Sequence, residues 1–177
     1  MMSSPERADP PLTLVLVGPM AAGKTSVGRK VARLLEVPFS DTDKRIAAVQ
    51  GPIPKIFAEH GEPYFRELER AAVDAAVADG GVVSLGGGAV TDAATRSLLT
   101  RHPVVFLTVS PEAVSRRIGG TGRPLLAGDD DPLERWQRIF DERRGWYEEV
   151  ADLTVDTSRT PMRMLAERIA AWRKELE

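Results

Sequence analysis

Gly18-Pro-Met-Ala-Ala-Gly23-Lys24-Thr25 decides the fold, because of what stands on either side of it. Before it, Leu12–Val17 is a continuous apolar run too short for a helix, as expected of a strand buried on both faces. After it, Lys24–Leu35 carries apolar residues at Val27, Val31, Leu34 and Leu35, a helical stripe. Strand, glycine loop and helix start, in that order, are the context G-x-x-x-x-G-K-[ST] requires to hold phosphates. Successive backbone N–H groups and the helix N-terminus attract the anion. Lys24 is placed to contact β- and γ-phosphates, and the Thr25 hydroxyl to ligate magnesium. A plain strand-to-helix turn is the alternative, but a chance match to the pattern is on the order of one in a hundred at average glycine usage. Ala21 stands where many such loops carry glycine, so its φ must be one open to alanine.

The alternation continues outward. Strands are predicted at Val37–Asp41, Gly81–Leu85, Val104–Val109 and Leu153–Val155. Helices are predicted at Thr42–Gln50, Pro54–Asp79 (broken near Gly61), Thr91–Arg101, Pro111–Ile118, Leu133–Val150 and Thr160–Lys174, with Ser110 capping the fourth. The fold class is therefore α/β: a P-loop NTPase three-layer sandwich with a central five-stranded parallel sheet and helices on both faces. Residues 12–177 read as one domain, preceded by a polar, proline-rich and disordered lead at Met1–Pro11. Ligands of such sheets sit beyond the carboxyl ends of the strands. That gathers Gly18–Lys24, Asp41–Asp43, Gly86–Gly88 and the stretch after Val109 at one site.

Composition narrows the chemistry. With 177 residues and a net charge of −2, nothing argues for nucleic acid or an anionic membrane surface as partner. No apolar run approaches the length of a membrane helix. Cysteine is absent, which removes disulfides and thiolate chemistry and makes a reducing, cytoplasmic location the default. His60 and His102 have no metal-ligand spacing and read as surface residues. Any metal must be a hard cation on oxygen ligands, such as magnesium.

The other loops carry candidates. Asp41 or Thr42 could simply cap the following helix; alternatively, one of the two carboxylates could hold magnesium through water and the second bind or deprotonate a substrate hydroxyl. Gly86-Gly87-Gly88 is more glycine than a turn needs and suits close approach of backbone to a ligand. Gly119, Gly120, Gly122 and Gly128 surround Arg123-Pro-Leu-Leu126, which reads as a mobile lid over about 119–131 or, alternatively, a solvated loop. Arg143 falls on the apolar stripe of Leu133, Trp136, Ile139, Phe140, Tyr147 and Val150, where it needs an anionic partner: a substrate or a core acid. Arg66 among Glu62, Glu67 and Glu69 is explained equally well by pairing along a solvated helix.

Taken in order, the phosphate loop, Asp41-Thr-Asp43, Phe65-Arg66-x-x-Glu69, Ser84-Leu-Gly-Gly-Gly88, Arg123-Pro-Leu-Leu126 and Arg143-x-x-x-Tyr147 resemble the shikimate kinase family from about Leu12 to Ala170. The resemblance implies a kinase domain, expected to be monomeric, that transfers the ATP γ-phosphoryl group to the 3-hydroxyl of shikimate with magnesium. The product, shikimate 3-phosphate, lies on the route to chorismate and aromatic amino acids. It further implies ATP contacts at Ala21, Ala22, Gly23, Lys24, Thr25, Ser26, Arg117, Arg123 and Arg159. Substrate contacts fall at Asp43, Arg66, Gly87, Gly88 and Arg143, magnesium contacts at Thr25 and Asp41, and catalytic roles at Lys24, Asp43 and Arg123. Two departures stand out: Gly145 replaces a proline common in the family, and the loop after Val155 is shorter. Gluconate kinases are similar in the phosphate loop but differ after Asp43, where this chain has Lys44-Arg45. A nucleotide-binding module without catalysis would not need Lys24, Thr25, Asp43 and Arg123 together.

Overall fold

Leu14–Val17 is buried at every position and forms the central strand, β1. A strand so apolar on both sides can only sit inside a sheet covered on both faces. It pairs in parallel with β3 (Val82–Ser84) on one side and β4 (Val104–Thr108) on the other. β2 (Phe39–Asp41) extends the sheet beyond β3, and β5 (Leu153–Asp156) beyond β4. The order is β2-β3-β1-β4-β5, a five-stranded parallel sheet as the sequence predicts. The connection from β1 runs toward the β2 edge and that from β3 toward β4, and this switch opens a crevice at the carboxyl ends of β1 and β3.

These features come from a computed structural model that describes residues 13–118 and 131–177. The expected lead at Met1–Pro11, and the expected lid with Arg123 (Asp131 apart), lie outside the described residues.

The helices in chain order are α1 (Lys24–Leu35), α2 (Thr42–Gln50), α3 (Ile53–Asp79), α4 (Ala93–Leu99), α5 (Pro111–Arg117), α6 (Pro132–Val150) and α7 (Met162–Glu175). α1 packs with α7, while α6 packs with α4, α5 and β4. The break expected in α3 is present: Gly61 has φ 81° and ψ 173°, a conformation outside the helical region that glycine alone adopts cheaply. The single helix expected over Thr91–Arg101 is instead a 3₁₀ turn (Ala89–Thr91) followed by α4. Asp92 causes the division, since its carboxylate accepts from Ala94 N at 2.8 Å and Thr95 N at 3.4 Å and so starts a new helix. Ser110 caps α5 as expected, accepting from Ala113 N at 3.3 Å.

Candidate active site

The phosphate loop joins β1 to α1. A Cβ on Gly18, whose φ is 151°, would lie 2.3 Å from the Leu107 carbonyl oxygen of β4, so the loop can leave the sheet here only as glycine. Ala21 has φ 67°. That is the small left-handed region, open to alanine at a cost of about 1–2 kcal/mol.

The loop's carbonyls are all engaged by the protein. Lys24 Nζ donates to Gly18 O at 2.8 Å and Pro19 O at 2.9 Å. Trp136 Nε1 of α6 donates to Met20 O at 2.8 Å, and Arg117 of α5 to Ala21 O at 2.9 Å. Thr157 Oγ1, just after β5, donates to Ala22 O at 2.8 Å, and Val27 N to Gly23 O at 2.9 Å. With the acceptors held by protein donors, the loop's amides other than Ala22 N, which donates to Pro19 O at 3.3 Å, are the groups left to meet an anion. The loop borders a cavity of about 320 Å³, lined also by Lys24, Thr25, Ser26, Asp43 and Gly87.

Asp41 takes the capping role the sequence offered and also meets Thr25. One carboxylate oxygen accepts from Lys44 N at 3.2 Å, capping α2, and the other accepts from Thr25 Oγ1 at 2.6 Å. Asp43, in the first turn of α2, lines the cavity. Burial, with Asp41 nearby, pushes its carboxyl above the usual 3.8, against the pull of Lys24 and Arg66. Thr42 between them is fully buried, and its hydroxyl accepts from Gly86 N at 3.2 Å, tying the end of β2 to the loop after β3.

That glycine loop separates two cavities. A Cβ on Gly86 would stand 2.6 Å from Asp43 Oδ1 and 2.7 Å from Glu69 Oε1. On Gly88 it would stand 2.2 Å from the Arg66 guanidinium. At these two positions the protein's own side chains already approach the backbone closely. Only Gly87 would meet ordinary contacts, at 3.5 Å and beyond, so its open side is available to a ligand.

Beyond the loop lies an open cleft of about 640 Å³ lined by Arg66, Arg143, Glu62, Glu142, Thr91 and Trp146. Arg143 is 7% exposed on the buried stripe of α6. Arg66 makes both helical pairs its neighbours offered, at 3.0 Å to Glu62 and 2.6 Å to Glu69. It is nevertheless not a solvated side chain, because its guanidinium lies over Gly88. Glu69 is buried, which raises its carboxyl pKa against the pull of Arg66.

The remaining expectations divide. Arg117 lines the first cavity and also braces it, donating to Thr157 O at 2.7 Å. Ala22 is buried and contributes only backbone. Arg159 is exposed on the turn after β5 and does not line the cavity. Sequence reasoning gave no site role to Trp136, Thr157, Thr42 or Glu69. For Trp136 a signal existed, since a buried indole N–H needs an acceptor.

A parallel sheet with this loop at its switch point, two carboxylates at the next strand end and a cleft bearing two arginines beyond defines a P-loop kinase acting on a small anionic acceptor. The family model described as shikimate kinase matches residues 20–174. Among curated relatives, the shikimate kinase of Corynebacterium efficiens is 46% identical over 157 residues, covering 87% of this chain and 92% of its own. That of Salinispora tropica is 50% identical over 161 residues, covering 89% and 95%. The solved shikimate kinase from Acinetobacter baumannii in complex with shikimate superposes with a TM-score of 0.87 at 35% identity, covering 94% of each chain. The chain belongs to the shikimate kinase family.

Proposed function

We propose that this enzyme transfers the γ-phosphoryl group of ATP to the 3-hydroxyl of shikimate, giving shikimate 3-phosphate. The observation that carries this reading is the pair Arg66 and Arg143 in one cleft, across the glycine loop from Lys24 and Asp43. A ring bearing one carboxylate and several hydroxyls matches it, with the acid between two guanidinium groups and a hydroxyl at Asp43.

In the reaction the 3-hydroxyl oxygen attacks the γ-phosphorus, the bond to the β–γ bridging oxygen breaks, and Asp43 accepts the hydroxyl proton. Its raised pKa makes it a better acceptor than an ordinary aspartate. Lys24 exchanges the carbonyls of Gly18 and Pro19 for phosphate oxygens, and the loop amides spread the developing charge. Thr25 and Asp41 suit magnesium, being hard oxygen donors 2.6 Å apart beside Lys24. Bound magnesium would neutralise charge on phosphate oxygens. Arg123 on a closing lid is proposed as a further phosphate contact, and Arg159 as an adenine neighbour. A monomeric, cytoplasmic enzyme is part of the same reading, and no described helix is long and apolar enough to cross a membrane.

The test is calorimetric titration of shikimate and of ATP into wild type and Arg143→Ala, beside a coupled assay offering shikimate and gluconate in parallel. Wild type should turn over shikimate and ignore gluconate. The variant should lose about 30- to 1,000-fold in shikimate affinity with ATP affinity unchanged. Unchanged shikimate affinity, or gluconate turnover, would overturn the assignment.

A further inference from the structure

Gly86 and Gly87 line the first cavity and Gly88 lies under Arg66 of the second, so a run of backbone with almost no intrinsic conformational preference borders both. One side chain holds its middle. The hydroxyl of Tyr147, on α6, donates to the Gly87 carbonyl at 2.5 Å. The Arg143 guanidinium, one turn earlier on the helix, bears on the same hydroxyl. The directions are dictated by chemistry. A guanidinium only donates, so it faces an oxygen lone pair and leaves the single phenolic proton for the carbonyl. Burial pushes the phenol pKa up to about 12, so that proton stays in place at any working pH.

Tyr147 is 1% exposed, and its ring is set by stacking on Phe106 at 5.2 Å and Phe140 at 6.4 Å. The hydroxyl therefore occupies a fixed point, and whatever bonds to it is fixed as well. Because the peptide is planar, fixing the Gly87 carbonyl also fixes the Gly88 N–H on the opposite edge.

We propose that Tyr147 is a positioning residue for the phosphoryl acceptor, its hydroxyl locking the Arg143 guanidinium and the Gly87–Gly88 peptide plane into one mutual geometry. Charge-bearing arm and backbone wall come from different elements, α6 and the loop after β3, and this hydroxyl joins them. The inference rests on the proposed function, since it takes the cleft of Arg143 as the acceptor's seat.

Tyr147→Phe is the direct test, because phenylalanine preserves the ring stack and removes only the hydroxyl. The shikimate KM should rise about 10- to 100-fold, as expected for losing hydrogen bonds that order a charged contact, while the ATP KM stays within about twofold. In a cycle with Arg143→Ala, adding Tyr147→Phe should cost far less than it does in wild type, because the two act as one unit. An unchanged shikimate KM, or additive effects in the cycle, would overturn the proposal. So would a parallel rise in both KM values with a lowered melting temperature, which would mark a merely structural role. A wild-type enzyme inert toward shikimate would instead overturn the underlying function, and that is visible before any variant is made.

Discussion

The phosphate loop and the segment facing it across the cavity are supported in opposite ways. The loop rises from the main core, where β1 lies between β3 and β4 and each loop carbonyl is held by a donor from the protein. The facing segment, α2 and the first half of α3, rests on a separate small core of Ile46, Ile56 and Phe65, with Ile53, Phe57, Leu68 and Ala72 around it. Three buried side chains contribute roughly 5–9 kcal/mol before the entropy of ordering that segment is subtracted. The kink at Gly61 interrupts α3 between the small core's outer part and Arg66. One half of the site is thus preformed, while the other is drawn from the low-stability end of the molecule, where adjustment to a ligand costs least.

Lys24→Met attacks the preformed half. Turnover should fall by at least 100-fold, with the melting temperature held within a few degrees, because the lysine meets the transferring group while its bonds to Gly18 O and Pro19 O lie within the loop itself. Steady-state rates and thermal melts check this, and retention of more than about a tenth of the rate would break the assignment.

The small core is probed by Ile56→Ala beside Val31→Ala. The first should lose about 2–4 kcal/mol locally, seen as faster hydrogen exchange in α2 and early α3 with β1 protection retained. The second, in α1 of the main core, should loosen β1 as well. Equal loss of β1 protection in both would merge the two cores into one.

Asp43→Asn should be the mildest in stability and opposite in sign. The folded pKa of Asp43 is raised above its unfolded value of 3.8, so the folded state binds the proton more tightly. Stability from this group is therefore present at low pH and lost as pH rises through the folded value. At pH 7 the charge is a cost, and asparagine should stabilise by roughly 0.5–2 kcal/mol while turnover collapses. Denaturant melts at pH 4 and pH 7 test it: the stabilisation should shrink at the lower pH. The acid limb of wild-type kcat/KM should likewise lie above 3.8.

The sequence carried the preformed half almost completely, because its signals are local. A strand run, a spaced motif and a helix stripe lie within Leu12–Leu35, and no distant residue is needed to interpret them. Arg143 was also legible, since a charge on an apolar stripe is conspicuous in one dimension. Glu69 was not: among Glu62 and Glu67 it reads as a solvated helix partner, and only the return of the chain at Gly86 shows that it is buried. The close approaches at Gly86 and Gly88 were hidden for the same reason, as the side chains that meet them come from α2 and α3. Thr157 could not be read at all, because its role lies in a contact with Ala22 across 135 positions.

Two of the three tryptophans have been described by their contacts, and together they give the enzyme an optical readout. Trp136 bonds the phosphate loop through Met20, Trp146 lines the arginine cleft under the guanidinium of Arg96 at 5.1 Å, and Trp172 sits apart on α7. An indole hydrogen bond and a cation over an indole ring both tune its emission. Nucleotide and acceptor should therefore perturb different chromophores, and single-tryptophan versions of the chain would report filling of the two sites as separate signals, without label or turnover.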